Sequence, residues 1–112
     1  MAEKYQVLWT RSALSDLESI VEYIAGRGDT LNARKVYQKV MAKAAGLRLH
    51  PQRCRSVAEL KEFGIREFRE MIIAPYRVCF RHHARKVAIV AVLDSRRDVE
   101  ELLIARALTP IS

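Results

Sequence analysis

The sequence predicts an α+β fold: an N-terminal strand, an α-helical hairpin, a three-stranded antiparallel meander completing a four-stranded sheet, and a short C-terminal helix. Three observations carry this prediction. Residues 66–97, REFREMIIAPYRVCFRHHARKVAIVAVLDSRR, read as three strands in succession. Residues 13–24 and 33–47 each carry a single apolar stripe at helical spacing. A helix with one apolar stripe must bury it, so the helix pair needs a sheet to lie against.

The elements follow in order. Tyr5-Gln6-Val7-Leu8-Trp9 has the aromatic and β-branched content of a short strand. Thr10 or Ser12 then caps a helix whose stripe is Ala13, Leu17, Ile20, Val21 and Ile24, with Asp16, Glu18 and Glu22 expected in water. Gly26-Arg27-Gly28 breaks it, and Asp29 or Thr30 caps the second helix. The second stripe is Ala33, Val36, Tyr37, Val40, Met41, Ala44 and Leu47, ended by Pro51. Residues 51–64 read as a polar connection without periodicity. Strands are expected at about 66–73, 76–82 and 86–93, joined by Ala74-Pro75 and His83-Ala84-Arg85. In the middle strand Tyr76, Val78 and Phe80 alternate with Arg77, Cys79 and Arg81, so one sheet face is expected to be apolar and the other basic. In the first of the three, Glu70 shares a face with Phe68 and Ile72, which points to a bulge or an internal Arg–Glu pair. The last strand, KVAIVAVL, is apolar on both faces and belongs inside the sheet. Asp98 caps a closing helix with Val99, Leu102 and Leu103.

Charge narrows the partners. The chain carries +7, and residues 66–97 alone hold eight Arg or Lys against three acids, a net of +5. Arg outnumbers Lys 14 to 6, which favours planar contacts to phosphate or carboxylate. The 112 residues are expected to form a single domain across 1–112. No apolar run is long enough for a membrane span, and the N-terminus has no signal-peptide pattern, so a cytoplasmic protein without a membrane role is expected. Two cysteines do not make a disulfide framework. Cys79 and His82 point to opposite faces of a strand, so no metal or other cofactor is expected.

The ordered set of motifs resembles the RelE/ParE superfamily of bacterial toxins over nearly the whole chain. It comprises Trp9-Thr10, Ala13, Asp16-Leu17, Tyr23-Ile24, Leu47…Pro51, Val57…Glu59-Leu60, Phe68-Arg69-Glu70, Pro75-Tyr76-Arg77 and Val92-Leu93…Arg96-Arg97-Asp98. The resemblance implies that the first and last strands are neighbours. It implies the toxin of a type II toxin–antitoxin system, bound by a cognate antitoxin, with operator DNA contacted only through that antitoxin. ParE-like members poison DNA gyrase; RelE-like members cut mRNA on the ribosome.

RNA cleavage at a 2′-hydroxyl needs a proton acceptor, cations at the phosphorane and a proton donor to the leaving oxygen. Arg69, Arg77 and Arg97 match the cationic positions of the ribonuclease branch. The tail DVEELLIARALTPIS has no Tyr, His or Lys, and Leu102 and Leu103 stand where that branch places its acid–base side chain. His82 and His83 are the nearby imidazoles, at a hairpin tip. The leading reading is therefore a gyrase inhibitor without chemistry of its own, its functional surface formed by Arg69, Arg77, Arg81, Arg97, Leu102 and Leu103. The alternatives are a ribosome-dependent mRNA endoribonuclease using Arg69, Arg77, Arg97, His82 and His83, and a non-toxic relative that only binds antitoxin.

Overall fold

The computed structural model describes residues 4–109. Strand β1 (Gln6–Trp9) leads into helices α1 (Arg11–Gly26) and α2 (Thr30–Ala45). Two short 3-10 turns, Gly46–Arg48 and Pro51–Arg53, precede strand β2 (Arg55–Ser56) and helix α3 (Ala58–Lys61). The meander is β3 (Phe68–Ile73), β4 (Tyr76–His83) and β5 (Lys86–Asp94), and α4 (Glu100–Leu108) follows.

Two of the three expected caps, Thr10 and Asp29, are in place and do more than end helices. The N-cap of α4 is Val99, without a side-chain cap bond, and Asp98 Oδ1 only accepts from the Glu100 N–H at 3.3 Å. Thr10 Oγ1 accepts from the Ala13 N–H at 3.2 Å and donates to the Ile89 carbonyl at 2.9 Å, tying the start of α1 to β5. Asp29 Oδ1 accepts from the Asn32 N–H at 3.2 Å, and Gly28 takes the left-handed turn (φ +89°) that reverses the chain between α1 and α2.

The sheet has five strands rather than four, in the order β1-β5-β4-β3-β2. β1 runs parallel to β5, so the first and last strands are neighbours. The added strand lies in the connection expected to be irregular, with Arg55 opposite Glu70 and Ser56 opposite Arg69. Two residues are too few to display a period-2 pattern, and for that reason the sequence does not announce it.

Ala13, Leu17, Val40 and Ala44 of the helix hairpin pack on Val78, Phe80, Val87, Ile89 and Val92. Tyr37, expected in this core, is 44% exposed, because α2 turns Ala33, Val40 and Ala44 inward instead. The opposite sheet face is not the open basic surface that alternation predicts. Val57, Leu60, Val99 and Leu103 cover Phe68, Cys79, Ala91 and Leu93 there, making a second core beneath α3 and α4.

A bulge in β5 serves both cores. Cys79 lies opposite Ala91 but Phe80 lies opposite Ile89, which leaves Val90 as an extra residue. Val87, Ile89 and Val92 therefore reach the hairpin core, whereas Val90, Ala91 and Leu93 reach the second one. That switch of parity is why KVAIVAVL is apolar throughout.

Candidate functional site

The candidate residues fall into three separate places. The first is a buried ion-pair network on the α3 side of the sheet. Arg77 Nη1 and Nη2 donate to the two carboxylate oxygens of Glu59, both at 2.7 Å. Its Nε and Nη2 donate to Glu70 Oε1 at 2.9 and 2.6 Å, and Arg55 Nε reaches Glu70 Oε2 at 2.6 Å. Arg77 and Glu70 are 8% and 3% exposed. The Glu59 hydrogen bonds, opposed by desolvation and aided by Glu70, raise the Arg77 pKa. The same bond to Arg77 holds the Glu59 carboxyl below its ordinary value. Arg77 is thus buried and held by two carboxylates, not presented on the open basic face that alternation predicts. The alternation argument places Arg77 away from the hairpin core but cannot see α3 closing over it. The internal Arg–Glu pair expected for β3 is present, through Glu70.

Leu103, also expected on the functional surface, is 1% exposed in the second core, because α4 turns it toward the sheet. Leu102, one residue earlier and about 100° round the helix, is 38% exposed. It lines the second place, an open groove of about 1380 Å³ between the helix hairpin and the β3–β4 turn. Ile20, Tyr23, Ile24 and Val36 give this groove apolar walls, and Arg27, Lys35, Lys39, Arg96 and Arg97 supply its basic groups. Arg96 is bound by Asp94, with Nη2 to Oδ2 at 2.6 Å, and this contact pulls the Asp94 pKa down to about 2. Arg97 is exposed, and no carboxylate pairs with it among the described residues.

The third place is the other end of the sheet. Arg69 lies opposite Phe80, on the hairpin side, and its Nη1 donates to the Cys54 carbonyl at 2.7 Å. His82 packs edge-on to Tyr5, with ring centroids 6.0 Å apart; desolvation first, and Arg69 second, lower its pKa. Arg81 and His83 lie on the reverse side at the same end. Arg69 and Arg77 are therefore on opposite faces. Arg97 follows the end of β5 that pairs with Tyr76, seven residues of β4 away from His83, or about 23 Å.

Sequence reasoning missed one pair altogether. Asp16, expected in water, accepts from Arg106 Nη1 at 2.5 Å and Nη2 at 2.9 Å and from the Val92 N–H at 3.0 Å. Arg106 Nη1 also donates to the Val90 carbonyl at 2.9 Å. Its pKa is raised, mainly by the bond to Asp16. Because β1 stops opposite Ile89, β5 has an uncovered edge from Val90 onward, and this pair satisfies it. A carboxylate beside a helix stripe and the single Arg of the last helix were the available signals.

A five-stranded sheet with a helix hairpin on one face and α3 and α4 on the other is an α+β fold of the RelE/ParE type. The chain belongs to the ParE toxin family of type II toxin–antitoxin systems: the family's sequence model, ParE toxin of type II toxin-antitoxin system, parDE, matches residues 7–99. A chain of the solved chromosomal ParDE toxin–antitoxin system from P. aeruginosa superposes with a TM-score of 0.69 at 18% identity, over 83% of this chain and 98% of that one. At that identity the likeness is one of fold. No curated protein matches the sequence.

Proposed function

We propose that this chain is a growth-inhibiting toxin that poisons DNA gyrase through protein–protein contact and is neutralised by a cognate antitoxin. The observation that favours gyrase over mRNA is the dispersal of the cleavage set. Arg77 is held by Glu59 and Glu70 under α3, Arg69 and His82 face the other way, and Arg97 is at the far end. In-line attack on one phosphate requires the acid, the base and the cations within hydrogen-bond reach of the same few atoms. A contact inhibitor has no such requirement, and membership of the ParE rather than the RelE branch supports the same reading.

The groove is the antitoxin's seat in this proposal. Its apolar walls between Tyr23 and Leu102, with Arg27, Lys35, Lys39 and Arg97 around them, fit an amphipathic helix flanked by carboxylates. The deciding experiment is a gyrase supercoiling assay with antitoxin-free protein, run beside a ribosome-programmed mRNA cleavage assay. Inhibition with trapped cleaved DNA, and intact mRNA, is expected. Cut mRNA with unaffected gyrase would overturn the assignment.

A further inference from the structure

We propose that the outer edge of β1 is a self-complementary interface on which a second copy of this chain adds its own β1. The two strands run antiparallel, and the two five-stranded sheets join across a two-fold axis at Leu8. Strand β1 ends the sheet on its side and pairs only with β5. The Gln6 N–H donates to the Arg85 carbonyl at 2.8 Å and the Thr10 N–H to the Ile89 carbonyl at 3.0 Å, so the even-numbered residues turn their backbone groups to β5. By alternation the N–H and C=O of Val7 and Trp9 point the other way, where no further strand lies among the described residues.

Other stretches of edge in this sheet carry a guard. Strand β2, at the opposite side, is two residues long and holds the exposed, charged Arg55. The part of β5 beyond Ile89 is closed by Asp16 and Arg106. Strand β1 has neither device. Its four residues, QVLW, include no charge and no proline, and Leu8 on the reverse face is 39% exposed. An uncharged, regular edge is a template for another strand.

Register selects the occupant. Antiparallel pairing about Leu8 sets Val7 of each copy opposite Trp9 of the other, so the outward groups of one meet those of its partner. Two such pairs exchange about four hydrogen bonds. Leu8 then lies opposite Leu8 in the closer, non-hydrogen-bonded kind of pair, where each leucine covers the other. A shift of one residue would leave all the outward groups unmet. The pairing is bounded at both ends: the Tyr5 N–H is already taken by the Arg48 carbonyl at 2.7 Å, and the chain enters α1 after Thr10. There is also room for the copy. Helix α1 packs over β5 through Ala13 and Leu17 rather than outside β1. The two β5 strands would stand three strand spacings apart, about 14 Å, which clears a pair of helices about 10 Å across.

The test is sedimentation equilibrium of the purified, antitoxin-free full chain over a concentration series. A reversible monomer–dimer equilibrium is expected, with a dissociation constant on the order of 10–100 µM for an interface below the standard size. Each copy carries +7, so added salt is expected to tighten the dimer. Leu8→Lys and, separately, Leu8→Glu set like charges opposite each other and are each expected to weaken association about tenfold. An equimolar mixture of the two variants is expected to recover it, because residue 8 then faces its opposite charge. Leu31→Lys, at a more exposed leucine on α2, leaves the equilibrium unchanged. Leu8 is not a core residue, and circular dichroism checks that its variants fold. A parent that stays monomeric throughout would overturn the proposal and leave the edge to a strand of another protein. A Leu8→Lys variant that dimerises like the parent, a mixture no more dimeric than its components, or a dimer that salt dissociates would each overturn it too. Gyrase is absent from this measurement, so its outcome is independent of the gyrase reading.

Discussion

Asp16 and Arg106, ninety residues apart in sequence, meet at 2.5 Å over the uncovered edge of the central sheet. Asp16 belongs to the helix layer on one face and Arg106 to the layer on the other. Each also bonds the β5 backbone, at Val92 and Val90. The pair thus does two jobs: it satisfies the strand edge where β1 ends, and it fastens the layers around the bulge.

Asp16→Ala leaves the Val92 N–H without its acceptor and Arg106 without its counter-charge. A loss of about 2–4 kcal/mol in unfolding free energy is expected from these two effects. Asp16→Asn keeps an acceptor for Val92 and is expected to lose less. Urea titration followed by circular dichroism measures both. Equal stability of Asp16→Ala and the parent would mean that water replaces the pair.

Arg77 is expected to behave as a structural residue. Arg77→Ala leaves the buried Glu70 with only the exposed Arg55 and the half-buried Glu59 without its partner, at a cost of about 3 kcal/mol. Arg77→Lys is expected to be intermediate, because an ammonium cannot reproduce the fork that grips two carboxylates. Loss of toxicity in these variants should therefore track loss of folded protein. A variant that unfolds at the parental urea midpoint yet lacks toxicity would make Arg77 functional.

Acid weakens the fold through carboxyls held below their ordinary values. Glu59 is lowered from 4.5 by Arg77, and Asp94 from 3.8 to about 2, chiefly by Arg96. A depressed native pKa contributes stability above the unfolded value and loses it as pH falls through the native one. Stability is expected to decline from about pH 4.5 toward pH 2, with Glu59 dominating because its partner Arg77 is buried whereas Asp94 is paired with the exposed Arg96, where solvent screens the contact. Urea midpoints across this range check it, and the decline should shrink in Glu59→Gln.

The buried Cys79 thiol has the opposite sign. Burial raises its pKa from 9.0 to about 12, so its contribution is complete below pH 9 and is lost as pH rises toward 12. At neutral pH a thiol-reactive dye is expected to label Cys54 in the native protein and Cys79 only after unfolding. Rapid labelling of both under native conditions would contradict this packing.

The β4–β5 turn carries a removable strain. Ala84 sits at φ +49° in a two-residue turn where Asn or Gly is preferred. Ala84→Asn is expected to stabilise the protein by about 1 kcal/mol, since Asn tolerates the left-handed region. A shift of the urea midpoint upward, with an unchanged slope, is the expected reading.

The elements themselves were legible in the sequence: the Thr10 and Asp29 caps, the two helix stripes, the three meander strands and the inward β5. Each rests on local chemistry that a few neighbouring residues decide. The excess of charge in residues 66–97, and the motifs that mark the toxin family, were legible for the same reason. What the arginines face was not. Alternation placed Arg77, Cys79 and Arg81 on one side of β4 but could not tell whether that side meets water. Only the tertiary structure laid α3 and α4 over it, brought Glu59 and Glu70 to Arg77, and joined Asp16 to Arg106. The β5 bulge and the two-residue β2 were likewise decided there. A period-2 pattern reports which residues share a face only while the register is unbroken, and ion pairing depends on what folds across that face.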